Sequence, residues 1–134
     1  MPAAFDEPTR NFLNEPNVGV LATVSPRGRL QATPVWFLLE GDKLLVNTSQ
    51  GRVKLRNLQK HPYLALTVVD PKNVYRWVQI QGKVIRFDNA IGARDIDRLS
   101  QRYLGKPYPY FSGDKPEHRV SILIRPLNVH GMMG

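Results

Sequence analysis

Residues 48–62 read TSQGRVKLRNLQKHP. Four cationic side chains, Arg52, Lys54, Arg56 and Lys60, fall within nine positions with no acidic residue among them. If a helix begins at Arg52, the unpaired amides of its first turn and the positive end of its dipole attract an anion. Thr48 and Ser49, just ahead of it, can donate hydroxyls or cap the turn. Arg52 and Lys54 sit within that turn and can close on the same oxygen atoms. Arg56 follows one turn later on the face of Arg52, and Lys60 continues the line, while Leu55 and Leu58 supply the face for burial. This design suits a phosphomonoester or a phosphodiester. The same residues also suit a merely solvated helical face, or a nucleic-acid surface on which Trp36, Phe37, Tyr75 and Trp77 would stack bases.

The charge of the chain is regional. Residues 1–50 hold four Lys/Arg against five Asp/Glu, residues 51–86 eight against one, and residues 87–134 seven against five. The net of +8 therefore concentrates around the quoted segment, as a localised anion site requires.

Other chemistries find little support. With no cysteine, disulfides, thiolate metal sites and cysteine nucleophiles are excluded. His61, His118 and His130 lack metal-ligand spacing, and His61 before Pro62 reads as a helix end. Asp95 and Asp97 read as surface partners of Arg94 and Arg98. No nucleophile–base pair is visible. The opening MPAAFDEPTRNFL has no basic region followed by an apolar run, and no segment has the length of a membrane span. A cytoplasmic protein with no membrane association is expected.

The elements that must position the basic segment follow from periodicity and punctuation. A short helix is expected over 6–14, then strands over 17–24, 30–40 and 44–48 separated by the turns SPRG and GDK. The basic helix stops near Lys60, because Pro62 follows. Strands over 63–70 and 74–87 come next, with Gly82 as a bulge. A helix over 90–104 carries Ile91, Ile96, Leu99 and Tyr103 on one face, introduced by Asp88 and Asn89. Residues 105–116 read as a loop and 118–125 as the last strand, with Met132 and Met133 packing a tail. The sum is a single domain over 1–134. It is mainly β with minor α, an antiparallel barrel of six strands with helices at its openings.

The ordered blocks GVLATVSPRGRLQATPVWF, LLVNTSQGRVKLRNLQKHP, YRWVQIQGKV and HRVSILIRP resemble the pyridoxamine 5′-phosphate oxidase-like split-barrel superfamily. KLRNL, RWVQIQGKV and IDRLSQRYLGKPYP look most like its branch that uses the deazaflavin coenzyme F420. That resemblance implies a homodimer of six-stranded split barrels with flavin-type cofactors at the interface. It implies a cofactor phosphate on Arg52 and Lys54, with Thr48 and Ser49 at the strand end, Asn57 on the adjoining helix, and Arg56 a weaker match. It implies the backbone of Thr33, Pro34 and Val35 beside the cofactor ring, and Trp77 reaching it from the partner subunit. The implied activity is reduction of a small activated-alkene or quinone-like molecule by F420H2. An FMN oxidoreductase or a cofactor-storage protein is the alternative, since FMN carries a phosphate at the same place. The acidic tail of the deazaflavin would be attracted by Arg56, Lys60, Lys72 and Arg76. The chain is shorter than pyridoxamine phosphate oxidase itself, which argues against that reaction. A small-molecule substrate is expected and no nucleic-acid partner.

Overall fold

The computed structural model describes residues 5–111 and 113–133. Three helices, α1 (Glu7–Leu13), α2 (Val53–Lys60) and α3 (Gly92–Leu104), accompany seven strands. The strands are β1 (Gly19–Val24), β2 (Leu30–Val35), β3 (Leu38–Glu40), β4 (Lys43–Ser49), β5 (Tyr63–Asp70), β6 (Asn73–Asp88) and β7 (Arg119–Met133). They form one antiparallel sheet in the order β2-β1-β5-β6-β7-β4-β3.

This order forces the sheet to roll. Its two edge strands, β2 and β3, are joined only by Trp36 and Phe37. Seven flat strands would hold those edges about 29 Å apart, from six spacings of about 4.8 Å. Two linking residues span only about 10 Å. The edges therefore approach each other, and the interior fills with Phe12, Phe37, Leu44, Val46, Leu66, Val68, Ile80, Ile122 and Ile124.

The crossover explains why seven strands replace the expected six. The stretch expected as one strand over 30–40 breaks where Phe37 turns fully inward. Tyr103 of α3 pins the break: its hydroxyl accepts from the Phe37 amide at 3.3 Å and lies 3.2 Å from the Phe37 carbonyl and 2.8 Å from that of Asn17. A second correction concerns the C-terminus. The final strand does not stop at Arg125 but runs to Met133, with Trp77 opposite Met132 and Arg76 opposite Met133. The register shifts at Gly82, the expected bulge, and Pro126 sits opposite it, where an amide donor is dispensable.

The helices close the barrel as their sequences dictate. Asp6 caps α1, accepting from the Thr9 amide at 2.9 Å, and Phe12 and Leu13 enter the core. Helix α2 buries Leu55 and Leu58, and His61 ends it. Helix α3 starts at Gly92, two residues later than expected, because Asp88 and Asn89 are used differently. Asp88 accepts from the Ala90 amide, while Asn89 donates to the carbonyls of Glu117 and Arg119. Gly92 is required here: a Cβ would lie 2.0 Å from the carbonyl oxygen of Arg119.

Candidate functional site

The basic segment lies where β4 ends and α2 begins. Gly51, at φ 91°, makes the turn, and the Arg52 amide bonds back to the Ser49 carbonyl. Arg52 occupies the N-cap without a side-chain cap bond, and the first turn of α2 contains no acid. Beside it opens a cavity of about 280 Å³ whose lining has two characters. Asn47, Thr48, Arg52, Lys54 and Arg119 are its polar and cationic lining; Val18, Pro34, Val35, Trp36, Ile96, Leu99 and Tyr108 are its apolar and aromatic lining.

A buried hydrogen-bond network supports the cationic lining. Asp95 of α3 is 1% exposed and accepts from the Ser121 hydroxyl at 2.7 Å and from Arg94 and Arg98 at 3.0 Å each. Burial alone would push its carboxyl up, but Ser121, Arg98 and Arg94 together hold it below the usual range. The expectation of a surface aspartate is thus corrected: Asp95 ties α3 to β7. Asn47 donates to the Gly92 carbonyl at 3.0 Å and accepts from Arg119 Nε at 2.9 Å. Arg119, itself buried, completes its pairing with Asp114 at 2.9 Å, and its guanidinium stands 5.1 Å from the Tyr108 ring. Asp97, also expected as an arginine partner, instead accepts from the Tyr108 amide.

Lys54 records the charge imbalance. Burial, then the neighbouring Arg52 and Arg119 cations, hold its ammonium below the ordinary lysine value. A group in that state gains from an arriving anion, which removes the like-charge repulsion. Among the described residues no cluster of His, Asp and Glu could hold a metal ion.

A family model described as pyridoxamine 5′-phosphate oxidase matches residues 5–133. The chain belongs to the pyridoxamine 5′-phosphate oxidase family. Among solved structures, an F420 reductase is 31% identical, with 94% of this chain and 98% of that one covered and a TM-score of 0.84. A putative pyridoxamine 5′-phosphate oxidase from Listeria innocua is 20% identical, with 90% and 91% covered and a TM-score of 0.68. A conserved hypothetical protein from Mycobacterium tuberculosis is 20% identical, with 96% and 84% covered and a TM-score of 0.74. The last two share the fold. No match was found among curated proteins.

Of the residues that the family resemblance nominated, Pro34, Val35, Thr48, Arg52 and Lys54 meet in the cavity. The others do not line it. Thr33 is on β2 with its hydroxyl buried and unpartnered. Ser49 is buried at the end of β4. Asn57 is buried and donates to Thr23 at 3.0 Å, which fixes α2 to β1. Arg56 donates to the Gly51 carbonyl at 2.9 Å, bracing the turn from outside. Trp77 sits on β6 with its ring 5.7 Å from that of His130. Arg76, expected to face an acidic tail, is held by Glu15 at 2.7 Å and Asp70 at 3.1 Å.

Sequence reasoning missed Asn47, Tyr108 and Arg119. Asn47 is the polar residue inside the apolar run LLVNT, and Arg119 opens a strand whose following residues are buried. Both are exceptions to a burial pattern, and a buried polar residue needs partners. No local signal in the sequence marks Tyr108 as a wall of the cavity.

Proposed function

We propose that this protein is a cytoplasmic, homodimeric reductase that uses F420H2 to reduce a small activated-alkene or quinone-like acceptor. The observation that carries this reading is the convergence of Arg52, Lys54 and Arg119 on a cavity whose remaining lining is largely apolar and aromatic. A phosphate-bearing, flat cofactor has those two characters. Arg52 and Lys54 would hold its phosphate, with Thr48 beside them. The backbone of the β2 segment Thr33–Val35 would flank its ring, with Pro34 and Val35 lining the cavity. When bound, the deazaflavin supplies the hydride and solvent the proton of the two-electron reduction. The protein's residues bind, orient and exclude water, so no proton-transferring side chain is demanded.

The homodimer belongs to this reading. A cavity of about 280 Å³ falls just below the usual range of ligand sites, roughly 300 to 1,000 Å³, as expected if one chain offers only part of a wall. Val74, Tyr75 and Met132 are exposed around Trp77 on the β6–β7 ribbon. A second copy covering that ribbon would bring Trp77 to its partner's cofactor.

FMN is the second reading, because the phosphate clamp serves it equally. A surface cleft favours the deazaflavin. Arg27 and Arg29 from the β1–β2 turn face Arg56 and Lys60 of α2 across it, and no acidic residue lines it. An oligoanionic tail fits such a cleft; FMN has nothing to place there. The test is a titration of F420 and of FMN into the native protein and an Arg56→Glu/Lys60→Glu variant at two salt concentrations. The variant should lose F420 affinity and keep FMN affinity, and the difference should shrink with salt. Equal losses would remove the tail assignment. Uptake of neither cofactor would sink the whole reading, and binding of F420 without turnover of any acceptor would leave a carrier protein.

A further inference from the structure

The five-ring cluster on the apolar side of the cavity is not used by the phosphate clamp. Trp36 stacks on Tyr103 with ring centroids 5.4 Å apart and planes 7° from parallel. Tyr108 meets Trp36 edge-on at 6.1 Å, and Tyr110 and Phe111 meet Tyr108 at 4.8 and 5.8 Å. Trp36 and Tyr108 line the cavity, while Phe111, 70% exposed, carries the aromatic surface out to solvent.

The cluster is held rather than left to drift. Tyr103 is fixed by its hydroxyl's bonds to the Phe37 and Asn17 backbone. Tyr108 is fixed by its amide's bond to Asp97 at 2.9 Å, and the loop's start by the Ser100 hydroxyl's bond to the Lys106 carbonyl at 2.7 Å. Pro107 and Pro109 flank Tyr108 and restrict its backbone. Tyr110 adopts φ 53°, the left-handed region that a bulky residue occupies only when its surroundings impose it. A core cluster would be buried, yet Tyr108 and Tyr110 are only half-buried and Phe111 is not buried at all.

We propose that Trp36, Tyr108 and Phe111 form the binding site of the acceptor, and that it takes a planar, uncharged, conjugated molecule. This rests on the reductase reading above. The chemistry of the wall selects the ligand. Aromatic faces and edges favour a flat π-system. The rings bring no charge of their own, so this wall favours an uncharged ligand. The exposed Phe111 extends the aromatic wall to solvent, as suits a molecule that enters and leaves at each turnover.

The test uses menadione as a planar quinone probe and tryptophan fluorescence as the readout, with and without bound F420. Quenching should be saturable, persist in Trp77→Phe and vanish in Trp36→Phe. Tyr108→Ala and Phe111→Ala should each weaken menadione binding about three- to tenfold, the scale of one aromatic contact. Phe111 lies outside the cavity lining, so the F420 affinity of Phe111→Ala, measured by separate titration, should equal that of the native protein. Phe111 is exposed, so its variant keeps the test valid if Tyr108→Ala fails to fold. Menadione affinity unchanged in Phe111→Ala, or quenching retained in Trp36→Phe, would overturn the site. Normal quenching in a protein that binds no F420 would overturn the cofactor reading and leave the aromatic site standing.

Discussion

Replacing Lys54 by Met separates binding from folding. The thioether keeps the length of the stem and removes the charge. In the ligand-free protein Lys54 is held below its ordinary value by burial and by Arg52 and Arg119, so its charge opposes folding. Lys54→Met should therefore leave the thermal midpoint unchanged or raise it. The ligand-bound protein behaves oppositely, because a phosphate loses one charge-assisted hydrogen bond worth about 1.5–3 kcal/mol. That corresponds to a loss of affinity of roughly 10- to 150-fold. The pH dependence has a defined sign. A bound phosphate raises the Lys54 value above that of the free protein, so binding takes up a proton when the free protein has released it. Affinity is full while Lys54 is charged in the free protein and falls as pH rises through its lowered value, which lies below 10.5. Calorimetric titration of the cofactor between pH 7 and 10.5, beside a thermal melt of each apo-protein, measures both effects. A lower midpoint with unchanged affinity would mean that Lys54 is structural and refute the argument. In Lys54→Met the decline of affinity with pH should disappear over the range where Lys54 titrates.

Three further outcomes follow from the geometry. Gly92→Ala places a methyl group 2.0 Å from the Arg119 carbonyl oxygen and should cost about 3 kcal/mol in denaturant unfolding, with Arg119 displaced and cofactor binding weakened. Asn57→Ala leaves Thr23 unpaired in a buried place and should cost about 1–3 kcal/mol of stability, with a smaller effect on cofactor affinity than Arg52→Ala; the opposite ranking would return Asn57 to the binding site. Sedimentation at micromolar concentration should give twice the chain mass of 15.3 kDa, and Tyr75→Asp should shift it toward the single chain. A native monomer with full cofactor affinity would contradict a shared site.

How far the sequence was legible depended on the range of the forces involved. The strands over 17–24, 63–70 and 74–87 were readable because alternation and turn residues act over a few positions, and the structure has them at Gly19–Val24, Tyr63–Asp70 and Asn73–Asp88. The break at Trp36–Phe37 was not readable, because it depends on edge strands meeting and on a hydroxyl 66 residues away. The extension of β7 to Met133 was hidden for a related reason. Residues 126–133 alternate poorly and are largely exposed, so their strand is defined by pairing with β6 rather than by burial. In the site, the sequence exposed the cations of the α2 turn, which are neighbours in the chain.

The partners that complete the site come from distant segments. Arg119 joins Lys54 only because β7 lies beside β4, with Arg119 opposite Ser49. Asp95, read as a surface charge, is instead the foot of the chain that passes through Ser121 and Asn47 to Arg119. A buried carboxylate there makes sense in electrostatic terms. Arg119 brings a third cation to an already positive end, and a buried cation without nearby acids would lose far more to desolvation than it could return in binding. Asp114 meets Arg119 directly, and Asp95 anchors the hydroxyl and amide that orient it. The clamp can thus stay positively charged toward the cavity while its base remains hydrogen-bonded. The cost of that arrangement appears at Lys54, whose depressed ammonium marks the point where the protein's own acids leave the charge for a ligand to neutralise.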